Sequence, residues 1–258
     1  MSESQRYKKP PIDEALCDFQ FSPGLEWDPT MPGRIHERLK GFYKEKPRSQ
    51  QLVEAQGQGV GAEGGPGITF QQRVMNQRVQ LLAEQGTKIA SLGESQLTVH
   101  MLTPYAGWEH FRPMIIDAFD AYRGVAEPEG VTRIGLRYIN RIVIPGEAEP
   151  DLAEYFTIPP KFPNVDPNIK RVSFFNRKEA EYADLPIRIV VTFAQIETPA
   201  TERDSHQYLL DLDIIWIRKE EPLPLDHAIG LVDDMKDRHR RVFESLIEQK
   251  ARDIFNAD

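Results

Sequence analysis

The chain is poor in the features that usually announce a function. Its 258 residues contain one cysteine, Cys17, so no intrachain disulfide can form and a cytoplasmic location is expected. No apolar run approaches the ~18 residues that a membrane span requires. The opening Met-Ser-Glu-Ser-Gln-Arg is polar and has no apolar core, so no secretory leader is expected. Positive charge is also scarce. The formal net charge is −8, which disfavours general binding to nucleic acid or to an anionic membrane. No serine stands in a Gly-x-Ser-x-Gly elbow, and His36, His100, His110, His206, His227 and His239 show no His-Glu-x-x-His spacing. No metal, no cofactor and no catalytic residue is implied.

What the chain does have is an echo in its order of elements. A strand-rich stretch from about residue 12 to 102 ends in an amphipathic helix, and a second from about 131 to 218 ends in a longer one. Each opens with an apolar strand that stops at a proline, Glu14 to Pro23 and Gly135 to Pro145. The fold class this implies is α+β, an antiparallel sheet with helices on one face. Two similar strand–helix–strands–helix halves, 1–127 and 128–258, pack as one body in a saddle-like duplication. No residue-level repeat accompanies the echo.

The elements follow from period and punctuation. In the strand Glu14–Phe21, residues Ala15, Cys17, Phe19 and Phe21 share one face, so Cys17 reads as a small core residue. A helix is expected over Pro32–Lys44, capped by Thr30, with Ile35, Leu39 and Phe42 as its apolar stripe. The glycine-rich run 57–67 lacks a Gly-Lys-[Ser/Thr] ending and a following helix, so it reads as a hairpin connection rather than a phosphate cradle. Strands are expected over Phe70–Met75, Val79–Glu84, Lys88–Leu92 and Gln96–Leu102, forming a meander. A helix over Gly107–Arg123 should stop at Gly124. In the second half, strands are expected over Val131–Ile144, Arg171–Asn176, Pro186–Ile196 and Gln207–Arg218. A final helix should run from Asp226, its cap, to about Phe255. About 30 residues would make it ~45 Å long, enough to overhang the sheet and offer a homodimer contact.

The candidate site is a charged sheet face. Arg133, Arg137 and Arg141 share one side of their strand, with Gly135 and Ile139 between them. Asp211 and Asp213 share one side of another. Two readings stand side by side. In one, the arginines and aspartates are cross-strand ion pairs that brace the sheet; in the other, they are an arginine-lined surface for a carboxylate, a phosphate or an acidic partner. A metal held by Asp211 and Asp213 would need further oxygen ligands that no nearby motif supplies.

The opening Tyr7-Lys-Lys-Pro-Pro-Ile-Asp-Glu-Ala-Leu-Cys-Asp-Phe-Gln-Phe21 resembles that of a sporadically distributed prokaryotic family of uncharacterised proteins of similar length. The strand Gly135-Leu-Arg-Tyr-Ile-Asn-Arg-Ile142 and the helical His239-Arg-Arg-Val-Phe-Glu-Ser resemble its middle and end. The resemblance implies no activity. It implies an accessory role in a prokaryotic defence locus, conceivably a CRISPR-associated one.

The leading expectation is therefore a non-catalytic binding or adaptor protein with a protein partner, contacted through the Arg133/Arg137/Arg141 face. The alternative is a small-anion-binding protein or enzyme with its site between the halves, using those arginines with Asp211 or Asp213. A nucleic-acid-binding sheet is the third reading and the one that the acidic charge opposes.

Overall fold

The structure, a computed structural model, describes residues 7–59, 68–146, 149–160, 173–197, 204–218 and 220–257. Among the described residues, nine antiparallel strands form a single sheet. In chain order they are β1 (Ile12–Phe21), β2 (Arg48–Gly59), β3 (Ile68–Ala83), β4 (Lys88–Gly93), β5 (Gln96–Leu102), β6 (Val131–Pro145), β7 (Phe175–Glu181), β8 (Ile187–Ile196) and β9 (Ser205–Ile217). In space the order is β2-β3-β4-β5-β1-β6-β9-β8-β7. The helices are α1 (Met31–Leu39), α2 (Trp108–Ala126), α3 (Leu225–Leu246) and α4 (Gln249–Asn256). No helix among the described residues is long and apolar enough to cross a membrane.

Strict alternation decides which face is covered. Ala15, Cys17, Phe19 and Phe21 are buried on β1. In register with them lie Leu97, Val99 and Met101 of β5, and Ile134, Leu136 and Tyr138 of β6. All of these join one cluster with Ile35, Phe111, Ile115, Phe119 and Met235, so α1, α2 and α3 lie on this face. Phe21 stacks on Tyr122 at 4.6 Å, and Phe19 meets Phe119 at 5.0 Å. Aromatic pairs of this kind add to area burial as the driving force. A second cluster joins Tyr208, Leu210 and Phe193 to Phe156, Phe243, Leu246 and Phe255 under α3 and α4.

Several elements depart from the periodicity. Helix α1 ends at Leu39, and Phe42 is 41 % exposed, while the next residue, Tyr43, takes the buried place. Thr30 caps nothing with its side chain. Its hydroxyl donates to Asp28 instead. The two expected strands around Asn76-Gln77 are one, β3, because a register shift opposite Leu52/Val53 absorbs the irregularity. Of the glycine-rich run, residues 60–67 lie outside the described residues. Helix α2 runs through Gly124 and stops at Glu127, which takes the left-handed conformation. Gly124 is a contact position, not a cap: a β-carbon there would collide with the Arg38 guanidinium. The strand placed at Arg171–Asn176 begins at Phe175 and continues through Arg177-Lys178-Glu179, a charged edge that suits an unpaired strand border.

The largest departure concerns the final helix. It is broken at Ile247, whose extended backbone (φ −114°, ψ 146°) bridges Phe156. The helix α3 therefore has 22 residues, and α4 folds back against the 3-10 turn Leu152–Glu154. Asp226 is not the cap, a place held by Pro224. It lies in the first turn, where its carboxylate accepts from Arg123. The single long helix from which a homodimer contact was expected is two shorter helices.

Candidate functional site

The five residues chosen from the sequence do come together, on the sheet face turned away from α1–α3. Arg133, Arg137 and Arg141 alternate along β6 with Asp18, Leu16 and Glu14 opposite or diagonal on β1, and Asp211 and Asp213 on β9. The pairing is diagonal rather than straight. Arg137 lies opposite Asp213 in register but forms a fork with Asp211, Nε to Oδ1 at 2.8 Å and Nη2 to Oδ2 at 2.6 Å. Arg133 donates to Asp18, and Arg141 Nε to Asp13 at 2.7 Å. Asp18 also accepts from Gln96 Nε2 (2.8 Å) and Thr98 Oγ1 (3.0 Å), and Gln96 in turn accepts from Arg78. Gly135 makes room for this. A β-carbon there would lie 3.1 Å from Arg133 Nη1, so its absence lets the guanidinium cross the strand toward Asp18.

Each arginine therefore already has a carboxylate. The fork to Asp211 occupies the Nε–Nη2 edge of Arg137, the edge that lies along the sheet. Asp213 is the odd group out, with no hydrogen-bond partner among the described residues. Burial pushes its carboxyl up to about 6; Arg133 and Arg137 oppose the shift, while Asp211 and Asp18 add to it. Three carboxylates thus face two guanidiniums at the centre of the sheet. No three His, Cys, Asp or Glu side chains among the described residues group as a metal site.

A different site lies on the helix-covered side, at the seam where α2 and α3 meet over β1 and β6. There a cavity of about 380 Å³ opens between the start of β1, the N-terminus of α2, the face of β6 and the middle of α3. Ile12, Tyr105 and Trp108 line it from β1 and the start of α2, and Tyr138, Asn140, Lys236, His239 and Phe243 from β6 and α3. Gly107 (φ +105°) turns the chain so that Trp108 opens α2 at the cavity wall.

Lys236 is the unusual group. It is half-buried, and its ammonium lies 4.1 Å from the centre of the Tyr138 ring and 5.7 Å from that of Trp108. No carboxylate among the described residues is within ion-pairing distance of it. Burial, and after it the Arg240 charge, lower its pKa to about 8 against the pull of Asp237. One turn along, His239 is 3 % exposed. It hydrogen-bonds the Leu212 backbone, and its ring lies 4.3 Å from Tyr138. Its Nε2 is buried without a partner. Burial and the Lys236 charge push its pKa well below the usual histidine value, so it is neutral. Tyr138 Oη shares a hydrogen bond with Tyr105 Oη (3.2 Å), and Asn140 Nδ2 donates to the Leu210 carbonyl (2.9 Å). Glu244, at the rim, accepts from Tyr7 Oη at 2.9 Å and pairs with Arg252.

The alternative reading of the sequence put a small-anion site between the halves, built with the arginines. The structure puts the arginines and the seam cavity on opposite faces of the sheet. Lys236 was not singled out from the sequence, and His239 was named there only as a histidine without metal spacing. One signal was available: Val232, Met235, Lys236, His239 and Phe243 share a helical face, so Lys236 sits inside an otherwise apolar stripe. Compared with known proteins, the chain matches no family model and no curated protein.

Proposed function

We propose that this is a binding protein whose ligand is a small organic anion held in the seam cavity, and that the two halves which form the seam are related copies of one α+β unit. The duplication is supported by strand order. The opening strand of each half lies at the sheet centre, β1 beside β6, and the remaining strands run outward in reverse sequence order, β5-β4-β3-β2 on one side and β9-β8-β7 on the other. A long helix follows the last strand of each half. A saddle with a central pseudo-twofold axis is the arrangement this order suits.

The observation that carries the ligand reading is the Lys236 ammonium, set without a carboxylate in the wall of an aromatic-lined cavity. Buried charges are ordinarily paired. Here two ring faces supply a cation–π contact, and the cavity supplies the space for a counter-anion. Its volume falls in the range of small-molecule sites, and its Trp108, Tyr105, Tyr138 and Phe243 walls suit a flat apolar body behind a carboxylate. The adaptor reading has less behind it, because the Arg133/Arg137/Arg141 face is neutralised by its own aspartates.

Calorimetric titration with benzoate tests the reading. Saturable binding is expected, weakened at least about tenfold by Lys236→Met, since a charge-assisted hydrogen bond is worth roughly 1.5–3 kcal/mol. No saturable binding by benzoate or its ring-substituted analogues would remove the proposal.

A further inference from the structure

We propose that Lys236 captures its ligand covalently, as an imine, so that the substrate class is an aldehyde or ketone that also carries a carboxylate on a flat apolar body. This rests on the anion-binding reading and goes beyond it in assigning a bond-forming nucleophile.

Three features of the site converge on that chemistry. First, the amine is reachable and held. Lys236 lines the cavity, and the rings of Tyr138 and Trp108 fix its end at 4.1 and 5.7 Å. Second, the environment favours the free amine more than water does. Arg240 on the same helix repels the ammonium, and Asp237 is the acid that opposes it. Lys8, Glu109 and Glu244 are the other charged groups that line the cavity. A lysine desolvated in this way is the usual form of a Schiff-base lysine. Third, a base is at hand. His239 lies three residues on, on the same helical face, neutral and with Nε2 unpartnered at 3 % exposure. The Leu212 backbone hydrogen bond raises the basicity of the ring against its burial, and Nε2 is left without a partner, free to exchange a proton.

The step balances without an added reagent. The neutral Lys236 Nζ attacks the carbonyl carbon, forming the C–N bond as the carbonyl π pair moves to oxygen. His239 Nε2 takes a proton from the nitrogen and returns it to the oxygen. The C–O bond then breaks as the nitrogen lone pair forms C=N, and the oxygen departs as water with a second proton that His239 Nε2 takes up from solvent and passes on, so that one solvent proton is consumed and the product is the protonated iminium. The product iminium keeps its positive charge over the Tyr138 face, so the cation–π contact that held the ammonium is retained. Hydrolysis reverses the sequence.

The test uses the full chain with 4-formylbenzoate and cyanoborohydride, followed by peptide mapping by mass spectrometry, with benzoate titrated in parallel. The expected result is one dominant adduct at Lys236. It should form at least about tenfold faster than the average adduct at other lysines, be suppressed by benzoate, and slow in His239→Gln. Its rate should rise with a midpoint near pH 8, where surface lysines rise near ~10.4. This midpoint is read on the unmutated protein and does not depend on any variant folding. Benzoate binding that Lys236→Met weakens, with adducts spread evenly over the lysines, would overturn the imine and leave the anion site standing. Neither benzoate binding nor a Lys236 adduct would overturn both.

Discussion

Replacing Arg137 with alanine is expected to destabilise the protein by about 2–3 kcal/mol and lower its melting temperature by roughly 4–12 °C. The cost falls on the partner. Asp211 is 11 % exposed in its side chain and loses a two-bond fork, leaving a carboxylate beside Asp213 with nothing to neutralise it. Breaking a buried pair typically costs about 3–5 kcal/mol. Arg137 is 40 % exposed, so water reaches the pair and the cost falls below that range, to about 2–3 kcal/mol. The double variant Arg137→Met with Asp211→Leu should recover most of the loss, because an apolar pair leaves no stranded charge. Thermal unfolding of the three variants checks this. An Arg137→Ala protein with unchanged melting temperature would mean that the arginine face is not a brace, and would return it to consideration as a contact surface.

That prediction marks where the sequence was legible and where it was not. Period-two alternation placed Ala15, Cys17, Phe19 and Phe21 in the core and Arg133, Arg137 and Arg141 on one face, because a strand leaves only two directions for a side chain. It could not pair Arg137 with Asp211 rather than Asp213. Diagonal choice depends on register, and register is a property of two strands together. The final helix was read as one piece since Asp226 to Phe255 keeps apolar residues at helical spacing across Ile247. What breaks it is a tertiary bridge from Ile247 to Phe156, a partner about ninety residues away in the chain. The same holds for the seam cavity. Lys236 joins it only because α3 lies across β6 opposite Trp108 of α2, and composition along one segment cannot reveal a wall built from three.

The second large effect belongs to Asp213. Substitution with asparagine is expected to stabilise the protein at pH 8 by about 2–3 kcal/mol, and to leave it unchanged near pH 4. Its carboxyl is raised from the ordinary 3.8 to about 6 in the folded protein. Between those values the folded chain binds more protons than the unfolded chain, so stability falls as pH rises through the window and the full cost is present above about 7. Asparagine keeps the shape and removes the ionisation. At pH 8 the gain corresponds to roughly 4–12 °C in melting temperature, and it should shrink through pH 6 and vanish below pH 4. Arg133 and Arg137 are the groups that decide the sign, since both attract the Asp213 carboxylate. Both are already committed, Arg133 to Asp18 and Arg137 to Asp211, and so offset only part of the burial cost. Loss of stability at pH 8 in Asp213→Asn would mean that the two guanidiniums are shared with Asp213 after all, and that the three carboxylates and two arginines at the centre of the sheet act as one ionised network.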